Sequence, residues 1–322
     1  MPTNVTVEYA KTEQEYKNAK TTGEKIKALQ NMWREAPKHK GGENLRKDIR
    51  TKLAKFKEKL KKETEKKKGK ALTIKKEGNA TIVLVGPTNS GKSLLLRKLT
   101  GRKVAVADYD FTTKMPEVGV MNYKGVKMQI IELPAITPGY FYREKGPQFF
   151  SIIRNADIVV IVTDTDNLDY LFEEFNNAEI KLNEKVLDED FISLKAIIAI
   201  NKQDLDDFND VYVGLCKYYN LDLAPISALT GGGLELLKDI IWKNLGLIKV
   251  YTKEPGKNAK KDEPLCLKKN ATIEDMAVHI HKDFIRKFRF SRVWGKSAKF
   301  GGQMRGLKHI LEDEDIVEIH LK

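Results

Sequence analysis

A chain of 322 residues with 41% hydrophobic content can hold two or three packed domains; it shows no signal-peptide pattern and no apolar run long enough to span a membrane. Two distant cysteines outside any CxxC pattern, Cys216 and Cys266, and five histidines without zinc-ligand spacing argue against a disulfide or zinc framework, so the expectation is a reduced, cytoplasmic protein with both thiols buried, His279 and His281 as surface or packing residues, and no membrane partner. The net charge of +13 is uneven: residues 1–70 hold 21 Lys and Arg against 10 Asp and Glu, residues 248–322 hold 17 against 11, and the centre is acidic, which fits basic ends touching a polyanion or simply well-solvated lysine-rich helices.

In chain order, residues 8–35 read as one helix with Ile26, Leu29, Met32 and Trp33 on one face. Pro37 and the paired glycines Gly41 and Gly42 break it. A second helix follows, where Leu45, Ile49, Leu53, Phe56 and Leu60 recur at helical spacing. Each stripe needs a partner, so residues 1–70 are expected to form a basic helical hairpin.

From residue 80 short β-branched runs alternate with amphipathic stretches. ATIVLVG, MQIIEL, DIVVIVTD and LKAIIAIN read as strands; SLLLRKL, FFSIIRN, LDYLFEEFNN, DVYVGLCKYYN and LELLKDIIWKNL read as helices. Apolar strands between helices predict an α/β domain over 71–247, its sheet mostly parallel and covered on both faces. VMNYKGVKM reads as a hairpin, making one strand antiparallel, and Gly246 ends the last helix. Residues 248–322 carry a strand, turn, strand, helix and further strands, which fits a small α+β fold. There, Arg and Lys interleave with Phe284, Phe288 and Trp294; the rings are expected in the core, and the charges between them suit RNA.

Gly86, Gly91, Lys92 and Ser93 satisfy GxxxxGK[ST] between a strand and a helix. The stretch Gly86, Pro87, Thr88, Asn89, Ser90, Gly91, Lys92, Ser93 and Leu94 is therefore the candidate phosphate cradle. Its glycines let backbone N–H groups curl round an anion, and the helix N-terminus adds a favourable dipole. Lys92 would reach the β- and γ-phosphates and the Ser93 hydroxyl would ligate Mg²⁺. Downstream, AINKQD ends an apolar strand. Asp204 can accept from both donors of guanine, a pair adenine lacks. Asn201 is expected on the base edge, the Lys202 stem over the base, and the backbone of Ser227, Ala228 and Leu229 around the pocket.

With these motifs in place, the chain resembles the translation-associated class of GTPases, within it the Obg–HflX superfamily, and most closely the developmentally regulated GTP-binding proteins and their archaeal relatives. The likeness is carried by YDFTTKMPEVGVMNYKGVKMQIIELPAI, and reaches the N-terminal helices through EYAKT and HKGGENLRKDIRTKLAKFKEKL. IKVYTK, IHKDFIRKFRFSRVWGKS and LEDEDIVEI resemble a TGS domain, a ubiquitin-like β-grasp module. The resemblance implies a P-loop GTPase domain between a helical hairpin and a TGS domain. It makes Thr113 the switch I threonine, joining Ser93 on Mg²⁺. It implies GTP and GDP as ligands, the ribosome or ribosomal RNA as partner, and a stabilising or regulatory partner protein.

The chain departs from the family where Asp-x-x-Gly becomes Glu132-Leu133-Pro134-Ala135. Glu132 keeps a carboxylate for Mg²⁺ on a longer stem, and Ala135 keeps an N–H for the γ-phosphate without the freedom of glycine. Ile136 stands where Ras-like enzymes use glutamine to orient water. Asn89 suggests another route, since in several relatives an asparagine here helps bind K⁺, which would stabilise the developing charge; alternatively it only stabilises its turn. Asn89, Lys92, Thr113 and Ala135 are thus the residues expected to bear on hydrolysis. Three readings follow: a slow GTPase switch on ribosomes or translation factors, a nucleotide-gated RNA- or ribosome-binding module with little hydrolysis, and a structural RNA-binding protein with a vestigial pocket.

Overall fold

The computed structural model describes residues 7–20, 22–37, 40–66, 74–101, 104–106, 115–143, 145–186, 188–259, 261 and 264–322. In chain order its elements are α1 (Val7–Asn18), α2 (Thr22–Glu35), α3 (Glu43–Lys66), β1 (Ala80–Val85), α4 (Lys92–Thr100), β2 (Val104–Val106), β3 (Glu117–Tyr123), β4 (Val126–Glu132), α5 (Gly146–Arg154), β5 (Ile158–Thr163), α6 (Asp169–Asn177), β6 (Ile180–Leu182), β7 (Ile192–Leu194), β8 (Ala196–Ile200), α7 (Phe208–Tyr218), β9 (Asp222–Pro225), α8 (Leu234–Leu245), β10 (Leu247–Lys253), β11 (Leu265–Lys268), α9 (Ile273–Ile280), α10 (Asp283–Lys287), β12 (Phe288–Trp294), β13 (Gln303–Arg305) and β14 (Ile316–Leu321). They group into two compact units, one of residues 1–74, 135–155 and 167–193, the other of 75–134, 156–166 and 194–322.

In the first unit the single helix expected over 8–35 is two helices, α1 and α2, with α3 packed on α2. An unbroken helix would hold Tyr9 about 30 Å from Leu29. The break between α1 and α2 lets Tyr9, Leu29, Met32, Ala36 and Ile49 share one buried cluster, with Tyr16, Leu45, Leu53 and Phe56 against it. The hairpin expected at the N-terminus is therefore a three-helix arrangement. Trp33 stays 42% exposed, with the Arg46 guanidinium 4.3 Å from its ring centre. The side chain of Leu60 lies outside the described residues.

The second unit is built on a seven-stranded sheet ordered β2-β3-β4-β1-β5-β8-β9. β4, β1, β5, β8 and β9 run parallel, and β2 and β3 are antiparallel to their neighbours. Every residue of β1, β5 and β8 is buried, as continuous apolar runs in a covered sheet require. In the β3–β4 hairpin Tyr123 faces Val126, and Lys124 and Gly125 have φ of 53° and 80°. That is the primed two-residue turn whose twist matches paired strands. The parallel strands bring the loops after β1, β4, β8 and β9 to one end of the sheet, where α/β folds bind ligands.

Gly246 ends α8 in the left-handed conformation (φ 61°) and β10 starts at the next residue. A second sheet, β11-β10-β14-β12-β13, has β10 and β14 parallel at its centre. α9 lays Ile273 and Met276 on Ile248, Val250, Val293 and Val317, completing the expected β-grasp module. A reciprocal cap between Thr272 and Asp275 starts α9. Of the three rings expected in this core, Phe288 packs on the cluster from a half-buried position, and Phe284 and Trp294 are also only half-buried. Cys266 is buried, but Cys216 is exposed: α7 buries only Leu215, and the neighbouring residue turns away by about 100°. His279 and His281 are exposed. Among the described residues no helix is long and apolar enough to cross a membrane.

Candidate nucleotide-binding site

β1 delivers the chain to Gly86, whose φ of 150° and close approach to the Val162 carbonyl of β5 leave no room for a Cβ. The loop turns through Asn89 (φ 59°) and reaches Gly91 (φ 90°), the N-cap of α4. A Cβ on Gly91 would strike the side-chain amide of Asn201. Lys92 is buried and its ammonium folds back into the loop, 2.5 Å from the Pro87 carbonyl and 3.3 Å from both the Gly86 carbonyl and Ser90 Oγ. Thr88 and Asn89 are exposed at the tip, Pro87 is half-buried, and Leu94 is exposed on α4.

Ser93 Oγ donates to Glu132 Oε1 at 2.6 Å, joining the start of α4 to the end of β4. The second oxygen, Glu132 Oε2, is buried and has no hydrogen-bond partner among the described residues. Burial pushes the Glu132 carboxyl above its ordinary range, against the Ser93 hydrogen bond, which lowers it. A buried unpartnered carboxylate oxygen beside a hydroxyl is a donor set for a small hard cation, so these residues fit Mg²⁺ despite the Asp-to-Glu departure. The main chain of Leu133 then donates to the Leu84 carbonyl at 3.1 Å, extending the β4–β1 pairing to the box itself. Ala135 is half-buried, and Ile136 is packed at 1% exposure. Thr113 lies outside the described residues.

The guanine box follows β8. Asn201 makes a protein hydrogen bond through each end of its amide: Nδ2 donates to the Ser90 carbonyl at 2.8 Å, and Oδ1 accepts from Ala228 N–H at 2.9 Å. It therefore serves as a tie between the phosphate loop and the loop after β9. Ser227 N–H likewise donates to the Gly232 carbonyl at 2.9 Å, and Ser227 Oγ accepts from Thr230 N–H at 3.1 Å. The backbone donors expected from Ser227 and Ala228 are thus engaged within the protein. Leu229 is 68% exposed beside them. Lys202 (φ 66°) pairs with Asp164 just after β5. Sequence reasoning missed Asp164; the TDTD stretch ending β5 was its only local signal. Asp204 is exposed.

A family model described as a 50S ribosome-binding GTPase matches residues 81–202, and a TGS domain model matches 248–321. An uncharacterized GTP-binding protein of Methanocaldococcus jannaschii is 31% identical, with 93% of each chain covered. A developmentally-regulated GTP-binding protein 1 homolog of Dictyostelium discoideum is 33% identical, over 84% of this chain and 91% of its own. The developmentally-regulated G-protein 3 of Arabidopsis thaliana is 30% identical, over 78% and 84%.

Proposed function

We propose, on the premise that this chain belongs to the developmentally regulated GTP-binding protein family, that it is a slow GTPase acting as a nucleotide-dependent switch on ribosomes or translation factors. One observation carries the reading: Asn201 binds the Ser90 carbonyl and Ala228 N–H at once, so the phosphate loop and the guanine box share one site. Phosphates lie on the backbone of residues 86–93, with the Lys92 ammonium leaving its loop carbonyls for the β- and γ-oxygens. Asp204 accepts from the guanine edge, the Lys202 stem covers the base, and Leu229 borders it. Ser93 and Glu132, joined by Thr113, would hold Mg²⁺, which would supply charge neutralisation at the phosphates. The Ala135 N–H meets the γ-phosphate, and water attacks in line.

Ile136 is packed away and has no polar atom for that water, so hydrolysis needs another source of charge stabilisation. K⁺ held at Asn89 is the proposed source. The same burial of Ile136, with the altered Glu132-to-Ala135 box, favours a second reading in which nucleotide gates ribosome or RNA binding with little hydrolysis. The basic ends and the ribosome-binding GTPase model support a ribosomal partner in the cytoplasm, and a stabilising or regulatory protein is the other partner expected of the family. We expect purified protein with Mg²⁺ to prefer GTP over ATP by at least about 100-fold, and Asp204→Asn to erode that preference. Single-turnover phosphate release, faster in K⁺ than in Na⁺, supports the slow GTPase. No release in either buffer, with ribosomes present, supports the gated module. Equal affinity for GTP and ATP overturns both.

A further inference from the structure

The segment that begins at Ala135 is tied down within the first unit by a side chain that the nucleotide motifs do not include. After Ile136 the chain makes successive tight turns, with Tyr140 N–H on the Thr137 carbonyl, Arg143 N–H on Tyr140 and Gly146 N–H on Arg143. Gly139 and Phe141, between these turns, both donate to Glu174 of α6. Gly139 N–H meets Oε1 at 2.5 Å and Phe141 N–H meets Oε2 at 2.7 Å, one donor to each oxygen. Glu174 is 3% exposed, so its charge is supported by these backbone donors rather than by water.

α2 lies on the same segment. Gly23 approaches the Tyr142 carbonyl so closely that a Cβ would collide with it, and the Lys27 stem covers Gly139. Farther along α2, Arg34 pairs with Glu173 of α6. Asn177 of α6 accepts from Tyr142 Oη at 2.9 Å. The segment is thus held between α2 and α6, and it starts at the residue whose N–H is assigned to the γ-phosphate.

We propose that Glu174 is a positioning residue for GTP hydrolysis: it sets the course of residues 137–142, and so of the chain leaving Ala135, while α2 links that course to the basic N-terminal helices. The assignment rests on the hydrolysis reading given above. In return, a change of course at Ala135 on losing the γ-phosphate would be felt by α2, which gives the N-terminal helices a direct mechanical input.

The test uses the full chain carrying Glu174→Gln, whose amide can accept only one of the two N–H groups. The expected result is a split. GDP affinity, which depends on residues 86–93 and 201–204, stays within about twofold, while single-turnover hydrolysis slows about tenfold, the scale of one charge-assisted hydrogen bond. Amide exchange over 137–143 quickens, and Glu174→Asp, which keeps two carboxylate oxygens, recovers part of the rate. Should Glu174→Gln not fold, Gly23→Ala perturbs the segment from α2 and is expected to show the same split. Quicker exchange with a wild-type hydrolysis rate overturns the proposal, as does unchanged exchange. Wild-type protein that binds GTP and releases no phosphate defeats the hydrolysis reading itself, and the positioning role with it.

Discussion

Glu132 concentrates the chemistry of the site in one side chain. Its carboxylate is buried, half-satisfied by Ser93, and raised in pKa chiefly by burial. A folded-state pKa above the unfolded value favours the folded protein at acid pH, and that gain is lost as pH rises through the folded pKa. Mg²⁺ binding acts in the opposite sense, because only the ionised carboxylate is a good ligand. Apparent Mg²⁺ affinity should therefore fall as pH drops through the raised pKa, with protons released on binding above the ordinary carboxylate range. Titration calorimetry of Mg²⁺ into the GDP complex, in two buffers of different ionisation enthalpy, measures that release. Ser93→Ala should weaken Mg²⁺ binding and leave the Glu132 carboxyl higher still. A Glu132→Gln variant should lose the part of the proton release that exceeds that of GDP with Mg²⁺ alone. The glycines of the phosphate loop and the guanine-box residues were legible because each answers a local demand: a backbone turn, a close approach, an acceptor at a strand end. The tie made by Asn201 was not legible, since its partners, Ser90 and Ala228, lie far from it in the chain.

Among the elements, β1, β4, β5 and β8, the β3–β4 hairpin and α4 to α8 appear where the sequence pattern places them, because uniform burial selects continuous apolar runs and one-sided burial selects helical stripes, whereas the three-residue edge strand β2 was not read. α1 and α2 escaped that reading. No Pro marks the junction; the shared cluster of Tyr9, Leu29 and Met32 and the Glu24 carboxylate, which accepts from Lys20 N–H at 2.7 Å at the start of α2, account for the break. The packing gives a direct check. Leu29 is fully buried, so Leu29→Ala should cost about 2–5 kcal/mol in denaturant unfolding of the full chain. Trp33→Ala should cost about 1 kcal/mol or less, because its ring is partly exposed and mainly supports Arg46. Equal costs would mean that the apolar stripe, rather than the three-helix cluster, sets the packing of α2.

For the molecule as a whole, charge is the property that the fold leaves most available. Both basic regions carry lysines and arginines whose side chains are largely exposed, among them Arg289 and Arg292 on β12 and Arg50 on α3. If they meet ribosomal RNA, the logarithm of affinity for ribosomal subunits should fall linearly with the logarithm of salt concentration. Deleting residues 248–322 or 1–70 should flatten that slope for whichever end makes the contact, and sedimentation binding assays across KCl concentrations read it. A slope near zero in the full chain would remove phosphate contacts as the basis of association.

Composition, spacing and motif order were enough to predict a guanine-nucleotide α/β domain between a helical N-terminus and a small α+β module, because each depends on short-range backbone geometry or on a fixed burial period; that the last module is a β-grasp came from its resemblance to a TGS domain. Tertiary structure alone decided that Asn201 ties two loops, that Glu132 keeps a buried oxygen without a partner among the described residues, that Cys216 faces solvent, and that Glu174 and α2 hold the segment after Ala135. Those outcomes depend on which distant residues the topology brings within hydrogen-bond or van der Waals reach, and no local pattern in a single chain encodes that proximity.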